Sequence, residues 1–156
     1  PILGIIYSPI SKDFYYSFKD GGAFVLKENS EPKKITAQKM SNTNPNKIFT
    51  SASIRERVLE VLAGSIINYE FIKQSSALKF GNIASGEGCF YPRLGPTHEW
   101  DTAAGQILVE EAGGIVVDKF MKPLRYNKNK IFINKEFFVI SDPDYDWESV
   151  INEIFQ

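Results

Sequence analysis

Four side chains near the middle of the sequence suit one kind of ligand, a phosphate ester: Ser76, Lys79, Arg93 and Asp101. Ser76 and Lys79 stand three residues apart, which puts both on one face of a helical turn. A hydroxyl and an ammonium at a helix start grip phosphate well, because the free backbone N–H groups there also favour an anion. Arg93 follows Pro92 and precedes Gly95-Pro96. That sets a forked cation on a stiff, surface-reaching segment, suited to a second anionic group. Asp101 falls at the start of a helix, where a carboxylate either caps free N–H groups or acts as a hard oxygen ligand for magnesium.

Each residue also has an ordinary structural role. Asp101 as a helix cap, Ser76 as a cap, Lys79 as a solvated helix residue and Arg93 as half of a surface ion pair all fit their types. His98 and Glu99 read as solvated loop residues. Cys89 and His98, the single cysteine and the single histidine, allow a nucleophilic pair on paper. A lone cysteine is more often a small buried hydrophobe.

The elements that must position these groups follow from pattern. Leu3–Ile10, Asp13–Phe18 and Ala23–Leu26 read as antiparallel strands, with a turn at Asp20-Gly21-Gly22. Residues 35–48 are mostly polar and mark a boundary near residue 44. Beyond it strands and helices alternate. Ser53 and Glu56 have capping-box spacing and open a helix to about Ala63. Apolar residues of 77–84 recur at helical spacing, and Gly86 and Gly88 stop them. Asp101–Ala112 is the clearest helix, stopped by Gly113-Gly114. Ile115–Val117, Ile131–Ile133 and Phe137–Ile140 read as strands, and Asp144 caps a last helix through Trp147, Val150, Ile151 and Ile154. The expected fold class is α/β: a mixed sheet flanked by helices over 45–156, with leading antiparallel strands over 1–44.

The run from Trp100 to Gly114 resembles a signature of the inositol monophosphatase superfamily, roughly WDxAAxxxIxxEAGG. The fixed positions are met by Trp100, Asp101, Ala103, Ala104, Ala112, Gly113 and Gly114, with Ile107 near its place and Glu111 or its neighbour as the acid. The flanks SSALKF and YPRLGPT resemble the 3'(2'),5'-bisphosphate nucleotidase branch, and the likeness runs over about residues 3–140. The resemblance implies a magnesium-dependent phosphomonoesterase, with Asp101 binding one metal and Ser76, Lys79 and Arg93 holding the phosphates and sugar. It implies removal of the 3'-phosphate from adenosine 3',5'-bisphosphate. Two departures stand out. The family's DPxDGT motif and its glutamate-containing segment, which supply the other metal ligands, do not occur here. Where the branch carries a Ser-Arg-x-His-like segment, this sequence reads Thr50-Ser51-Ala52-Ser53-Ile54, which leaves other phosphomonoesters open.

Composition narrows the classes. The 156 residues carry 18 basic and 19 acidic side chains, a formal net charge of −1, so no basic excess argues for a nucleic-acid partner. There is no run of 18 apolar residues, so no membrane span is expected. One cysteine fits a reducing, cytoplasmic compartment. A chain that opens inside a strand at Pro1 is expected to be the C-terminal part of an enzyme, with the N-terminal lobe missing, inactive alone, and with no catalytic residue of its own beyond the metal and substrate ligands. Association into homo-oligomers is a further expectation. Competing readings are an inositol- or sugar-phosphate phosphatase of the same superfamily, or a non-catalytic subunit that pairs with a separate N-terminal chain.

Overall fold

The computed structural model describes residues 1–128 and 130–156. It has two main sheets. The first is antiparallel, in the order β1 (Leu3–Tyr7), β2 (Phe14–Phe18), β3 (Gly22–Leu26), β4 (Lys33–Ile35). Asp20 and Gly22 take positive φ at the β2–β3 turn, the conformation that a tight hairpin demands. The leading strands form a sheet of their own, separate from the larger one.

The second sheet is mixed, as the alternating pattern implied. Its order is β6 (Tyr69–Lys73), β5 (Asn46–Thr50), β7 (Phe90–Arg93), β11 (Phe137–Ile140), β9 (Ile115–Val117). β5 pairs parallel with β6 and β7, while β11 pairs antiparallel with β7 and β9. Helices α1 (Glu56–Ser65) and α4 (Trp147–Ile154) pack on one face, with Val58, Leu62, Trp147 and Ile151 buried against Ile48, Phe90, Phe138 and Ile140. Helices α2 (Leu78–Ala84) and α3 (Ala103–Glu111) cover the other face and also bury the inner face of the first sheet. The layers run helix, sheet, helix, sheet. A short pair of β8 (Thr97–His98) and β10 (Ile133–Asn134) closes the loop ahead of α3.

Helix α3 meets β1 at very short range. A Cβ on Gly4 would lie 2.4 Å from the Ala104 carbonyl oxygen. A Cβ on Gly105 would lie 2.3 Å from the Phe80 ring, so α2 approaches the same helix as closely. The helix ends in a Schellman turn: Gly113, at φ +96°, donates to Glu110 O and Gly114 donates to Val109 O.

Two expected caps move. Ser53 does not cap α1; Arg55 stands at that position without a side-chain cap, because residues 51–54 form their own turn, closed by Ile54 N–H on Ser51 O. Asp144 does not cap α4, because its carboxylate accepts from Lys39 Nζ at 2.6 Å; Asp146 caps instead, accepting from Ser149 N–H at 3.2 Å. Cys89 sits in the core, and burial pushes its thiol up to about 12, so it is no nucleophile and forms no pair with the exposed His98.

Glu111 carries a structural duty. Its carboxylate accepts from Asp20 N–H at 2.9 Å and Gly22 N–H at 2.8 Å, tying the end of α3 to the first hairpin. Charge-assisted bonds of this kind contribute about 2 kcal/mol. Glu111→Ala is expected to lower unfolding free energy by about that amount in urea titration. Glu60→Ala, at an exposed position of α1, is expected to change it by less than about 0.5 kcal/mol.

Candidate functional site

Ser76, Lys79, Arg93 and Asp101 all line one cavity of about 380 Å³. Three segments bring them there: the entry to α2, the end of β7, and the turn before α3.

Ser76 is not part of the helical turn expected of it. Its φ is +71°, and its hydroxyl accepts from Leu78 N–H at 3.3 Å. The left-handed residue turns the chain sharply into α2. Lys79, one residue into that helix, is buried rather than solvated. Its ammonium donates to the carbonyls of Gln74 and Ser76, each at 3.1 Å, and lies 4.4 Å from the centre of the Tyr91 ring. Burial first, and the Arg93 charge second, bring its pKa down to about 8.

Arg93 is no surface ion pair. Its Nε donates to Thr97 Oγ1 at 2.9 Å, which fixes the plane of the guanidinium. Among the described residues neither Lys79 nor Arg93 meets a carboxylate within 4.0 Å. Two neighbouring cations without a counter-charge, one of them buried, make a place that favours an anion.

Asp101 is exposed and caps nothing. It closes a 3-10 turn, Glu99–Asp101, and Thr102 stands at the start of α3. That turn is held by buried polar contacts. Thr102 Oγ1 donates to Glu99 O at 3.1 Å and accepts from Asn134 Nδ2 at 2.9 Å. Glu99, expected to be solvated, is buried and accepts from Asn127 N–H at 2.8 Å. His98 stays exposed and stacks on Trp100, rings 4.3 Å apart, beside the cavity.

Sequence reasoning missed Tyr91, Thr97 and Trp100 as lining residues. Tyr91 stands two residues before Arg93 on β7, a spacing that puts both on one face of the strand, whereas Thr97 reaches the cavity from β8, beyond the Gly95-Pro96 turn, and no local spacing signals it. Arg55 was missed too: with Ser51, Ser53 and Arg93 it lines a second cavity of about 450 Å³.

Magnesium asks for near-octahedral oxygen ligation. Asp101 offers one carboxylate, and among the described residues no three His, Cys, Asp or Glu side chains come together to hold a metal. These residues do not make a magnesium cluster by themselves.

Residues 1–150 match the sequence model of the inositol monophosphatase family. The chain belongs to the inositol monophosphatase family. It is 34% identical over 151 residues to the 3'(2'),5'-bisphosphate nucleotidase CysQ of Haemophilus influenzae, covering 96% of this chain and 56% of that protein. It is 36% identical to the CysQ of Aggregatibacter actinomycetemcomitans, with 97% and 56% covered. The chain thus spans about half the length of the curated relatives it matches, their C-terminal part. The crystal structure of CysQ from Bacteroides thetaiotaomicron superposes with a TM-score of 0.76 at 27% identity, covering 92% of this chain and 59% of that one. An inositol monophosphatase from Zymomonas mobilis superposes with a TM-score of 0.76 at 22% identity over 100% of this chain and 58% of that one, a likeness of fold. No helix of the described residues is long and apolar enough to cross a membrane.

The lowered Lys79 pKa gives a pH signature. The charged ammonium binds an anion and the neutral amine does not. Affinity for sulfate, a dianion throughout the range, is expected to be flat below about pH 8. Above that it should fall, by up to about tenfold per pH unit. Calorimetric titration at several pH values reads this, and Lys79→Met should be weaker and free of the slope.

Proposed function

We propose that this chain supplies the nucleotide-gripping side of a magnesium-dependent phosphomonoesterase that removes the 3'-phosphate of adenosine 3',5'-bisphosphate. The observation that carries the reading is the convergence of Ser76, Lys79, Arg93 and Asp101 on one cavity, with two cations that meet no carboxylate within 4.0 Å among the described residues. The CysQ relatives, at 34–36% identity, favour a bisphosphate nucleotide over other phosphomonoesters.

Lys79 and Arg93 take the anionic oxygens, Arg93 in the fixed plane set by Thr97. The Ser76 hydroxyl adds a neutral donor. Trp100, exposed at the cavity rim, offers a stacking surface for a base. Asp101 is the one carboxylate the chain brings toward a metal. We assign residues 1–44 to the metal-side lobe and 45–156 to the substrate-side lobe. The uncombined thiol of Cys89 supports a reducing, cytoplasmic setting.

A magnesium cluster needs more carboxylates than Asp101, so the chain by itself is expected to release no phosphate from adenosine 3',5'-bisphosphate above background. Phosphate release that disappears in Asp101→Asn would contradict this, since it would mean a complete metal site. Binding should survive, because cation–phosphate contacts need no metal. Quenching of Trp100 fluorescence should report adenosine 3',5'-bisphosphate binding more tightly than adenosine 5'-monophosphate or inositol 1-phosphate. Lys79→Met and Arg93→Met should each weaken it about 10- to 100-fold. Tighter binding of inositol 1-phosphate would exclude the nucleotide reading.

A further inference from the structure

Lys79 carries chemistry that anion binding does not exhaust. It is 4% exposed, yet it lines the cavity beside Ser76, Arg93 and Asp101. Its nitrogen has two oxygen partners, the carbonyls of Gln74 and Ser76, each at 3.1 Å. Both carbonyls are held in place. The Gln74 N–H donates to Thr50 O at 3.1 Å, and the Gln74 side-chain oxygen accepts from Asn82 Nδ2 at 2.8 Å. Ser76 is turned by its left-handed backbone, φ +71°. An ammonium has three N–H groups and no lone pair; a neutral amine has two N–H groups and one lone pair. The two carbonyls therefore satisfy the neutral amine, and the third proton leaves without stranding a buried partner. What weakens is the contact with the Tyr91 ring, whose centre lies 4.4 Å away. Burial and the Arg93 charge act in the same direction and bring the pKa to about 8. A buried amine that meets no carboxylate within 4.0 Å among the described residues is a nucleophile as well as a charge.

The cavity also selects the electrophile. Arg93 stands two residues on from Tyr91, on the same face of β7, and Thr97 fixes the plane of its guanidinium. The Ser76 hydroxyl accepts from Leu78 N–H and keeps its own proton to donate. These groups suit a phosphate held next to the amine. We propose that Lys79 is a modification site: its amine takes the acyl group of a small acyl phosphate whose phosphate is held by Arg93 and Ser76. The nitrogen bonds to the acyl carbon. The bond from that carbon to the phosphate oxygen breaks, its electron pair stays on the oxygen, and the proton displaced from nitrogen goes to the departing phosphate. The products are an amide and inorganic phosphate, and no oxidant or further reactant is needed. The amide is uncharged and adds an acyl group to a cavity of about 380 Å³, so modification closes the anion site. The inference rests on the anion site proposed above, but not on which phosphomonoester that site serves.

The probe is acetyl phosphate at about pH 8, with peptide mass spectrometry following acetylation of each lysine over time. Lys79 is expected to react about tenfold faster than Lys47 and Lys73, exposed lysines outside this cavity. Sulfate should slow Lys79 and leave Lys47 and Lys73 unchanged. The preference for Lys79 over Lys47 should be about tenfold larger with acetyl phosphate than with the N-hydroxysuccinimide ester of acetic acid, which has no phosphate. In Arg93→Met this difference between donors should vanish. The donor comparison on the unsubstituted chain stands whether or not that variant folds. Calorimetry with sulfate separates the two readings: if sulfate binds through Lys79 and Lys79 is not acetylated, the anion site stands and the modification site falls. Acetylation of Lys79 no faster than that of Lys47, no protection by sulfate, an equal preference with both donors, or a donor difference that persists in folded Arg93→Met would each overturn the inference.

Discussion

The close approach of helix α3 to strand β1 governs the arrangement of the molecule. No side chain fits between Gly4 and the Ala104 carbonyl, and none fits between Gly105 and Phe80. The helix is thereby pressed against the first sheet and α2 at once, and everything attached to it is fixed in turn. At its C-terminal end Glu111 ties down the β2–β3 hairpin. At its N-terminal end Thr102 and buried Glu99 hold the turn that presents Asp101 to the cavity. One helix thus joins the two sheets and sets the distance between the aspartate and the two cations.

The site works against stability locally. Lys79 is buried with two carbonyls and an aromatic face for company, and burial lowers its pKa to about 8. A carboxylate beside it would relieve that cost and would also repel a phosphate. The fold instead directs its carboxylates elsewhere: Glu111 to the hairpin, Glu99 to Asn127, Asp142 to Lys39. The uncompensated charge is what an anionic ligand can complete.

Much of this was legible in sequence. The three residue types at 76, 79 and 93 and the WD pair before α3 pointed to residues that line one cavity, and strand–helix alternation marked the mixed sheet. What escaped were features set by tertiary contact. Ser53-x-x-Glu56 and Asp144 had the right local chemistry for caps, but a preceding turn and Lys39 claimed those residues. Ser76 looked helical and takes positive φ instead, because the chain must swing sharply into α2. Glu99 looked solvated, but it is buried and its carboxylate accepts from the distant Asn127 N–H. The leading antiparallel strands and their hairpin turn were legible, whereas the burial of one face of that sheet under α2 and α3 depends on tertiary contact and was not.

The central claim is that Ser76, Lys79, Arg93 and Asp101 act as one anion site. The most direct measurement is the map of backbone amide shifts in nuclear magnetic resonance spectra as adenosine 3',5'-bisphosphate is added. The account predicts saturable shifts at 76–79, at Arg93 and Thr97, and at 100–104, sharing one dissociation constant. Shifts confined to the Ser51–Arg55 cavity, or separate constants for the three segments, would contradict it.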